Sequence, residues 1–211
     1  MNEEAQNALL KSLEEPPEGV IFILTTPYLN NLRETIRSRC WIINFQPLSN
    51  NDLTKILISN FNIEKKLAEK ISPFSGGSIS NALKLLENDF EELLEKTILV
   101  LRYSFGRKYH SALNELYGFL SENNSESIKL IISMIIVWLN DFQKFRLDNG
   151  NIYFADYIET IQKFNNRFSY VNLDGIISKL EKFSTIIQNN VNINIIILNI
   201  VYELSNLTFP F

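Results

Sequence analysis

The sequence contains one cysteine and one histidine among its 211 residues. A single cysteine excludes an internal disulfide, and Cys40 and His110 by themselves cannot build a zinc site or a redox pair. This usage fits a reducing, cytosolic compartment. The first residues are acidic and show no signal-peptide pattern, so a cytoplasmic location is predicted.

Strong positive charge and long hydrophobic runs are also missing. Twenty basic residues stand against 24 acidic ones, giving a net charge of −4. This argues against a basic nucleic-acid clamp, although a local basic strip can still touch phosphates. The two most apolar runs, residues 128–139 and 193–202, are well short of the ~20 apolar residues that cross a bilayer. We predict that both are buried core helices and that the protein has no membrane partner.

The chain shows no catalytic constellation of its own. It has no glycine-rich phosphate loop of the GxxxxGK[ST] type, and therefore none of the backbone cradle that such a loop offers to phosphates. Paired carboxylates, a serine triad and a spaced set of metal ligands are absent from the sequence as well. No metal site is predicted.

Residues 1–47 have the pattern of a piece of an α/β domain. Residues 3–14 repeat alanine and leucine at three- and four-residue steps, which is typical of a helix, and two prolines then end it. The runs VIFILTT at 20–26 and WIINF at 41–45 predict two strands covered on both faces. Because two strands do not make a stable sheet, we expect the chain to be N-terminally truncated inside this domain.

Helical patterns take over from residue 48. Ser49, with Asp52 three positions on, predicts the N-terminal cap of a first helix. A second helix is predicted over 64–71. The glycine pair at 76–77 breaks the pattern, and Ser78 then predicts the cap of a third helix.

From residue 91 onwards the pattern is that of an all-α bundle. Five or six longer amphipathic helices are predicted, with breaks near residues 106, 123–124, 148–150 and 189–190. This segment has a comfortable size for a domain of its own.

Two arginines and Cys40 precede the second predicted strand, in the stretch TIRSRCWIINF. Arg39 carries a planar fork of donors that suits phosphate oxygens. It is either a solvated side chain at a strand entrance or a group aimed at a neighbouring molecule, where an arginine offered in trans speeds phosphoryl transfer about 10³–10⁵-fold. Thr25 and Thr26 end the first predicted strand, where open α/β sheets place ligand sites; turn chemistry is the alternative.

A longer signature joins these segments. The stretch EEAQNALLKSLEEPPEGVIFILTT, followed by LRETIRSRC and FQPLS, resembles the second half of the ATPase domain in bacterial clamp-loader subunits. These AAA+ proteins open the sliding clamp and place it on primed DNA for DNA polymerase III. The resemblance is close over residues 1–50 and moderate over 51–90, where GGSISNAL stands at the last helix of the family's lid domain. From residue 91 only the helical character agrees with the family's collar domain.

The resemblance implies roles for the matching residues. Arg39 matches the arginine finger that reaches ATP bound on the adjacent subunit, and Ser38 and Cys40 complete that motif. Thr25 or Thr26 matches the first sensor position, here vestigial. ATP and Mg²⁺ would be held by neighbouring subunits. This chain is expected to hold no cofactor and to have no catalytic activity of its own within the DNA polymerase III holoenzyme.

The resemblance also implies a fold class and partners. The fold is expected to be mainly α, with a two-stranded remnant of the AAA+ base domain at 1–47, a three-helix lid at 48–90 and a helical collar at 91–211. The collar would hold the chain in a hetero-pentamer with gamma or tau and delta subunits. The sliding clamp and, indirectly, primed DNA are the further partners expected.

Ser80 departs from the family's pattern. Members that hydrolyse ATP carry a second-sensor arginine at this position, after GS and one further residue. Its absence indicates the non-hydrolysing stator, the delta-prime type. The alternative is an ATP-hydrolysing subunit of the gamma or tau type, which an intact phosphate loop upstream would indicate.

Overall fold

The computed structural model describes residues 3–26, 29–120, 124–148, 150–168, 171, 173–187 and 191–207. The helices within them are α1 (Glu3–Glu14), α2 (Glu34–Arg37), α3 (Asn50–Phe61), α4 (Lys65–Ile71), α5 (Ile79–Glu87), α6 (Phe90–Phe105), α7 (Tyr109–Leu120), α8 (Asn124–Leu147), α9 (Ile158–Arg167), α10 (Asp174–Ile186) and α11 (Ile193–Asn206). Contacts divide the chain into two compact units, Met1–Gln46 and Pro47–Phe211. The three predicted domains remain a prediction.

The first unit contains two helices that contact each other. The predicted helix at 3–14 is confirmed as α1, and α2 packs against it. Ile36 is the buried residue of α2, only 1% exposed. A four-residue helix is too short to be stable alone, so this buried side chain and the contact with α1 hold α2 in place.

The prediction of two strands in this unit is wrong for the described residues. No strand is assigned to the segments 20–26 and 41–45, or anywhere else in the described part of the chain. The backbone hydrogen bond described for the first segment is a turn bond from Val20 N–H to the Pro17 carbonyl, 3.1 Å. A strand is defined by bonds to a neighbouring strand, and the described residues supply no such neighbour.

Side-chain exposure in the first segment alternates as it does in a strand, although no sheet is formed among the described residues. Ile21 and Ile23 are 86% and 84% exposed, whereas the residues flanking them are about half as exposed. Trp41 and Phe45 are both 92% exposed. The burial on both faces that the apolar, β-prone composition predicted is therefore not found.

The second unit is built on one continuous hydrophobic core. Its buried side chains run from Leu53 in α3 to Leu204 in α11 and belong to a single cluster. Within it, Trp138 and Phe142 of α8 are fully buried. The helices of residues 48–90 thus share their core with the longer helices that follow.

Local capping chemistry fixes the helix starts in this unit. The Ser49 side chain accepts from Asp52 N–H at 3.1 Å and donates to the Asp52 carboxylate at 2.7 Å. The Ser78 side chain accepts from Asn81 N–H at 3.3 Å. Both predicted caps are confirmed, and the predicted helix at 64–71 is confirmed as α4.

Gly77 joins the start of this unit to the turn before α5. Its φ of 75° lies in the left-handed region, and its carbonyl accepts from Leu48 N–H at 3.0 Å. A Cβ at this position would lie 2.6 Å from the Leu48 carbonyl oxygen and 2.7 Å from the Pro47 Cβ. Glycine is therefore required for both its backbone angle and its lack of a side chain.

The bundle prediction is confirmed within the described residues by the six helices α6 to α11. The predicted breaks near 106 and 148–150 follow α6 and α8, and Asp148 and Gly150 have a positive φ. Residues 121–123, 149 and 188–190, at or near the other predicted breaks, lie outside the described part. Most of the run 128–139 is buried, as predicted. Among the described helices, none has the combination of length and apolar character that a bilayer crossing needs.

Candidate functional site

The predicted finger arginine lies just beyond the end of α2. The turn continues past the helix through hydrogen bonds from Ser38 N–H to the Glu34 carbonyl at 2.8 Å and from Arg39 N–H to the Ile36 carbonyl at 3.1 Å. Because Ile36 is buried, these bonds connect the backbone at Arg39 to an anchored helix.

Arg39 makes two side-chain contacts that orient its guanidinium. Nη1 donates to the Thr35 carbonyl at 2.9 Å, and Nη2 lies 2.5 Å from Glu14 Oε1 at the end of α1. The Arg39 and Glu14 side chains are 37% and 49% exposed. Exposed pairs of this kind contribute about 0–1 kcal/mol, so the contact orients the side chain without locking it in place.

The other residues of the motif support the same turn. Ser38 Oγ donates to the Thr35 carbonyl at 3.2 Å, so that carbonyl accepts from both Ser38 and Arg39. Cys40 is a free, half-buried thiol. The Arg37 Nε is buried and has no hydrogen-bond partner in the described part of the chain.

The predicted sensor threonines lie in the segment 20–26. Thr25 and Thr26 are both exposed there, and their sensor role stays a prediction. The hydrogen bonds and ion pair of Arg39 go to Thr35 and Glu14, so it is α1 and α2 that position its guanidinium. The partner Glu14 was missed from sequence, since a separation of 25 positions across a proline turn follows no helical or strand period.

A second cluster of charged side chains lies inside the helical unit. Asp141 is 0% exposed, and its Oδ2 accepts from Tyr153 N–H at 2.7 Å and Phe154 N–H at 2.8 Å. Lys144 Nζ lies 3.3 Å from Oδ1. Burial raises the pKa of the Asp141 carboxyl, and the two backbone donors and Lys144 oppose this change.

Arg146 of α8 forms hydrogen bonds to the end of α9 and to the segment that follows it. It donates to the carbonyls of Val171 at 2.8 Å and Phe168 at 2.6 Å, and to Asn165 Oδ1 at 3.2 Å. Its guanidinium also lies over the Phe142 ring, 4.4 Å from the centroid. The carbonyls of Phe168 and Val171 lie after the end of α9, and Arg146 supplies hydrogen-bond donors to them. We therefore assign Arg146 a structural role.

The remaining candidates for chemistry do not assemble. Among the described residues, no group of three His, Cys, Asp or Glu side chains could hold a metal ion. His110 is exposed, with its Nδ1 3.2 Å from Asn114 Nδ2. The Arg39 turn is thus the site where geometry and the sequence motif coincide.

Family models match both ends of the chain. The model described as "DNA polymerase III, delta subunit" matches residues 1–49. The model described as "DNA polymerase III, delta subunit, C terminal" matches residues 93–206, more than half of the chain. The chain belongs to the DNA polymerase III delta-subunit family. This confirms the clamp-loader resemblance carried by ALLKSLEEPP and SRC.

Individual relatives carry the names of several subunits of the same polymerase. The gamma subunit of Buchnera aphidicola subsp. Schizaphis graminum is 33% identical over 139 residues, covering 61% of this chain and 37% of that protein. The delta' subunit of Bacillus subtilis is 26% identical over 168 residues, covering 77% of this chain and 50% of that protein. The gamma/tau subunit of Mycoplasma genitalium is 27% identical over 173 residues, covering 71% of this chain and 29% of that protein. The chain thus spans at most half the length of these three relatives.

Proposed function

We propose that this family member is a delta-prime type subunit, the stator of the DNA polymerase III clamp loader. In this role it works in the cytoplasm within a hetero-pentamer of gamma or tau and delta subunits that loads the sliding clamp on primed DNA. Arg39 is its arginine finger and acts in trans on ATP and Mg²⁺ held by a neighbouring subunit. The observation that carries the proposal is the exposed, oriented guanidinium of Arg39 at the end of α2.

The contacts of Arg39 suit a finger that changes partners. Its bond to the Thr35 carbonyl keeps one edge of the guanidinium fixed, while the exposed carboxylate of Glu14 stands where a phosphate would compete for the other nitrogen. Charge-assisted, bidentate bonds to phosphate are stronger than a single solvated ion pair. A triphosphate on the neighbour therefore displaces Glu14 without unfolding the turn.

The stator assignment over the gamma or tau type rests on Ser80. It is an exposed residue in the first turn of α5, and its hydroxyl carries no charge with which to hold a γ-phosphate. Without an arginine there, α5 has no positively charged side chain at this position to contact the γ-phosphate of a bound ATP. Ser38 and Cys40 support the finger's turn, and Thr25 and Thr26 are vestigial sensor residues in this proposal.

The gamma or tau type is the second candidate, because relatives of that name match the chain at up to 41% identity. The two are separated by titrating fluorescent ATP and Mg²⁺ into the isolated full-length subunit. The stator gives no saturable binding. Saturable binding, accompanied by slow hydrolysis, would establish the motor assignment instead.

The finger is tested by Arg39→Ala in the full-length protein assembled with its partners. The finger's contribution is about 10³–10⁵-fold at the site it faces. DNA-stimulated ATP turnover of the whole assembly should therefore fall by the amount that this one site contributes to it. The assembly should still elute as a pentamer in size-exclusion chromatography. Arg33→Ala removes the same charge six residues earlier and serves as the matched control. Equal turnover in the two variants would exclude Arg39 as the finger.

The exposed face of α11 supports the collar role in assembly. Ile195, Leu198 and Tyr202 lie at three- and four-residue steps and are 53%, 49% and 56% exposed. With Tyr109 and Leu113 of α7 they line a depression of about 480 Å³. An apolar stripe of this kind marks a protein interface, which here is the contact with a neighbouring subunit.

A further inference from the structure

A second cavity of about 450 Å³ lies between α6, α8 and α9, away from the α11 stripe. Its apolar part is formed by Phe105, Trp138 and Phe164, which are 8%, 0% and 6% exposed. Cavities of roughly 300–1,000 Å³ with apolar walls and a few polar groups are typical ligand sites. This one has no role in the proposed action of Arg39.

The rim of the cavity is cationic. Arg102, Lys163 and Arg167 line it, and none of the lining residues within the described ranges is acidic, although the whole chain has a net charge of −4. Within the described residues Arg102 and Arg167 make no ion pair, while Lys163 lies 3.4 Å from Glu159 in an exposed pair. Lys163 and Arg167 are four positions apart on α9, so their repulsion is relieved when an anion lies between them.

Trp138, behind the apolar wall of the cavity, has an unsatisfied hydrogen-bond donor. Its Nε1 is buried and has no acceptor among the described residues. A buried N–H without a partner is unfavourable, and such groups call for a structural explanation. Trp138 is 0% exposed, so this donor lies behind the apolar wall and is not counted among the groups that contact a ligand.

The packing of the aromatic rings favours an inserted side chain over a stacked base. Phe105 and Phe164 lie 4.3 Å apart between ring centroids, and Trp138 meets Phe164 edge-on at 5.3 Å. Trp138 also stacks on Phe142 at 6.0 Å. The ring faces are therefore occupied by one another, whereas single-strand binders leave aromatic faces open for bases.

We propose that this cavity binds an acidic peptide segment with one aromatic side chain. The aromatic side chain enters the cavity and packs on its apolar wall beside Phe105 and Phe164, and flanking carboxylates pair with Arg102 and Arg167, whose guanidinium forks suit carboxylate bidentately. The partner is thus a protein with an acidic, aromatic-anchored motif. The cavity shares no lining residue with the depression beside the α11 stripe.

The test uses the purified 211-residue chain with Trp41→Phe, which leaves Trp138 as the single indole reporter among these residues. The probe is a short synthetic peptide of Asp and Glu with one central Phe, followed by Trp138 emission and by anisotropy of a labelled copy. Replacing Phe by Ala in the peptide should raise Kd about 10- to 100-fold. Raising the salt concentration should also weaken binding.

The variant pair Arg102→Glu/Arg167→Glu should raise Kd by about tenfold or more. The matched control is Lys66→Glu/Lys182→Glu, which makes the same charge change at exposed positions on α4 and α10. If a variant pair lowers the thermal midpoint, Arg102→Gln/Arg167→Gln is measured in its place, with a smaller rise in Kd expected.

Four results would overturn the proposal. They are an absence of saturable peptide binding, equal loss in the control pair, equal binding of the peptide that lacks Phe, and tighter binding of oligothymidylate that the same arginine changes abolish. The last result would make the cavity a single-strand nucleic-acid site.

Discussion

At the scale of single residues, buried polar groups contribute more to the stability of the fold than exposed polar groups do. The Arg39–Glu14 pair is exposed, so its stabilising effect is small. Asp141 is fully buried and satisfies two backbone N–H groups of the segment that follows α8. Removing an acceptor of this kind leaves buried donors unpaired, at about 1–3 kcal/mol each.

Asp141 gives a prediction for the pH dependence of stability. Because burial raises its folded-state pKa, the folded protein binds the proton more tightly than the unfolded chain does. Its contribution to stability is therefore highest below the unfolded pKa of about 3.9 and falls as pH rises to the folded pKa. We expect the stability of the wild type minus that of Asp141→Asn, from urea unfolding, to fall across that range.

The control for this prediction is Asp148→Asn, at an exposed position just after α8. A difference between wild type and Asp141→Asn that stays level with pH would contradict the raised pKa. At neutral pH, Asp141→Ala should lower the free energy of unfolding by about 2–5 kcal/mol, since both backbone donors lose their acceptor.

At the scale of elements, short contacts at the helix ends fix where α3 and α5 begin. Ser49 and Ser78 cap the two helices, and Gly77 lets the chain pass close to Pro47 and Leu48. The start of α3 and the turn before α5 are thereby joined by the bond from Leu48 N–H to the Gly77 carbonyl. This junction depends on one residue without a side chain.

Gly77→Ala tests the junction. The φ of 75° and the 2.6 Å approach to the Leu48 carbonyl oxygen predict a loss of about 2–3 kcal/mol in the free energy of unfolding. Gly175→Ala is the matched control: Gly175 lies in α10 with nothing within 4 Å of a Cβ. Alanine there should be neutral or stabilise by up to about 1 kcal/mol. Equal effects of the two changes on chemical denaturation would refute the steric argument.

At the scale of the whole molecule, α11 serves both the core and the surface. Ile196, Ile197 and Ile200 are buried, whereas Ile195 and Leu198 on the other face are about half exposed. Deleting residues 190–211 would therefore unfold the bundle as well as remove a candidate interface. Point changes on the exposed face separate the two effects.

Leu198→Asp should abolish co-purification with tagged gamma or tau and delta subunits. The carboxylate would be desolvated in an apolar contact, while in the free subunit it is solvated and leaves the thermal midpoint nearly unchanged. Leu147→Asp, at a 74% exposed position at the end of α8, is the control and should keep the complex. Retention of the complex by Leu198→Asp would exclude this face from the collar interface.

The sequence by itself determined the features that depend on neighbours along the chain. The three- and four-residue repeats gave α1 and the bundle helices, and the serines at 49 and 78 gave the caps, because these interactions join residues within one turn. The SRC and LLKSLEEPP motifs gave the family for the same reason, since they are contiguous.

Only the tertiary structure decided which distant residues meet. Residues 20–26 and 41–45 form no sheet among the described residues, because strand pairing needs a partner that composition does not specify. The pairing of Arg39 with Glu14, the burial of Asp141, and the cationic cavity of α6, α8 and α9 follow from how helices pack. Helical periodicity identifies an apolar face, but which neighbour covers it is set by the three-dimensional packing of the whole unit.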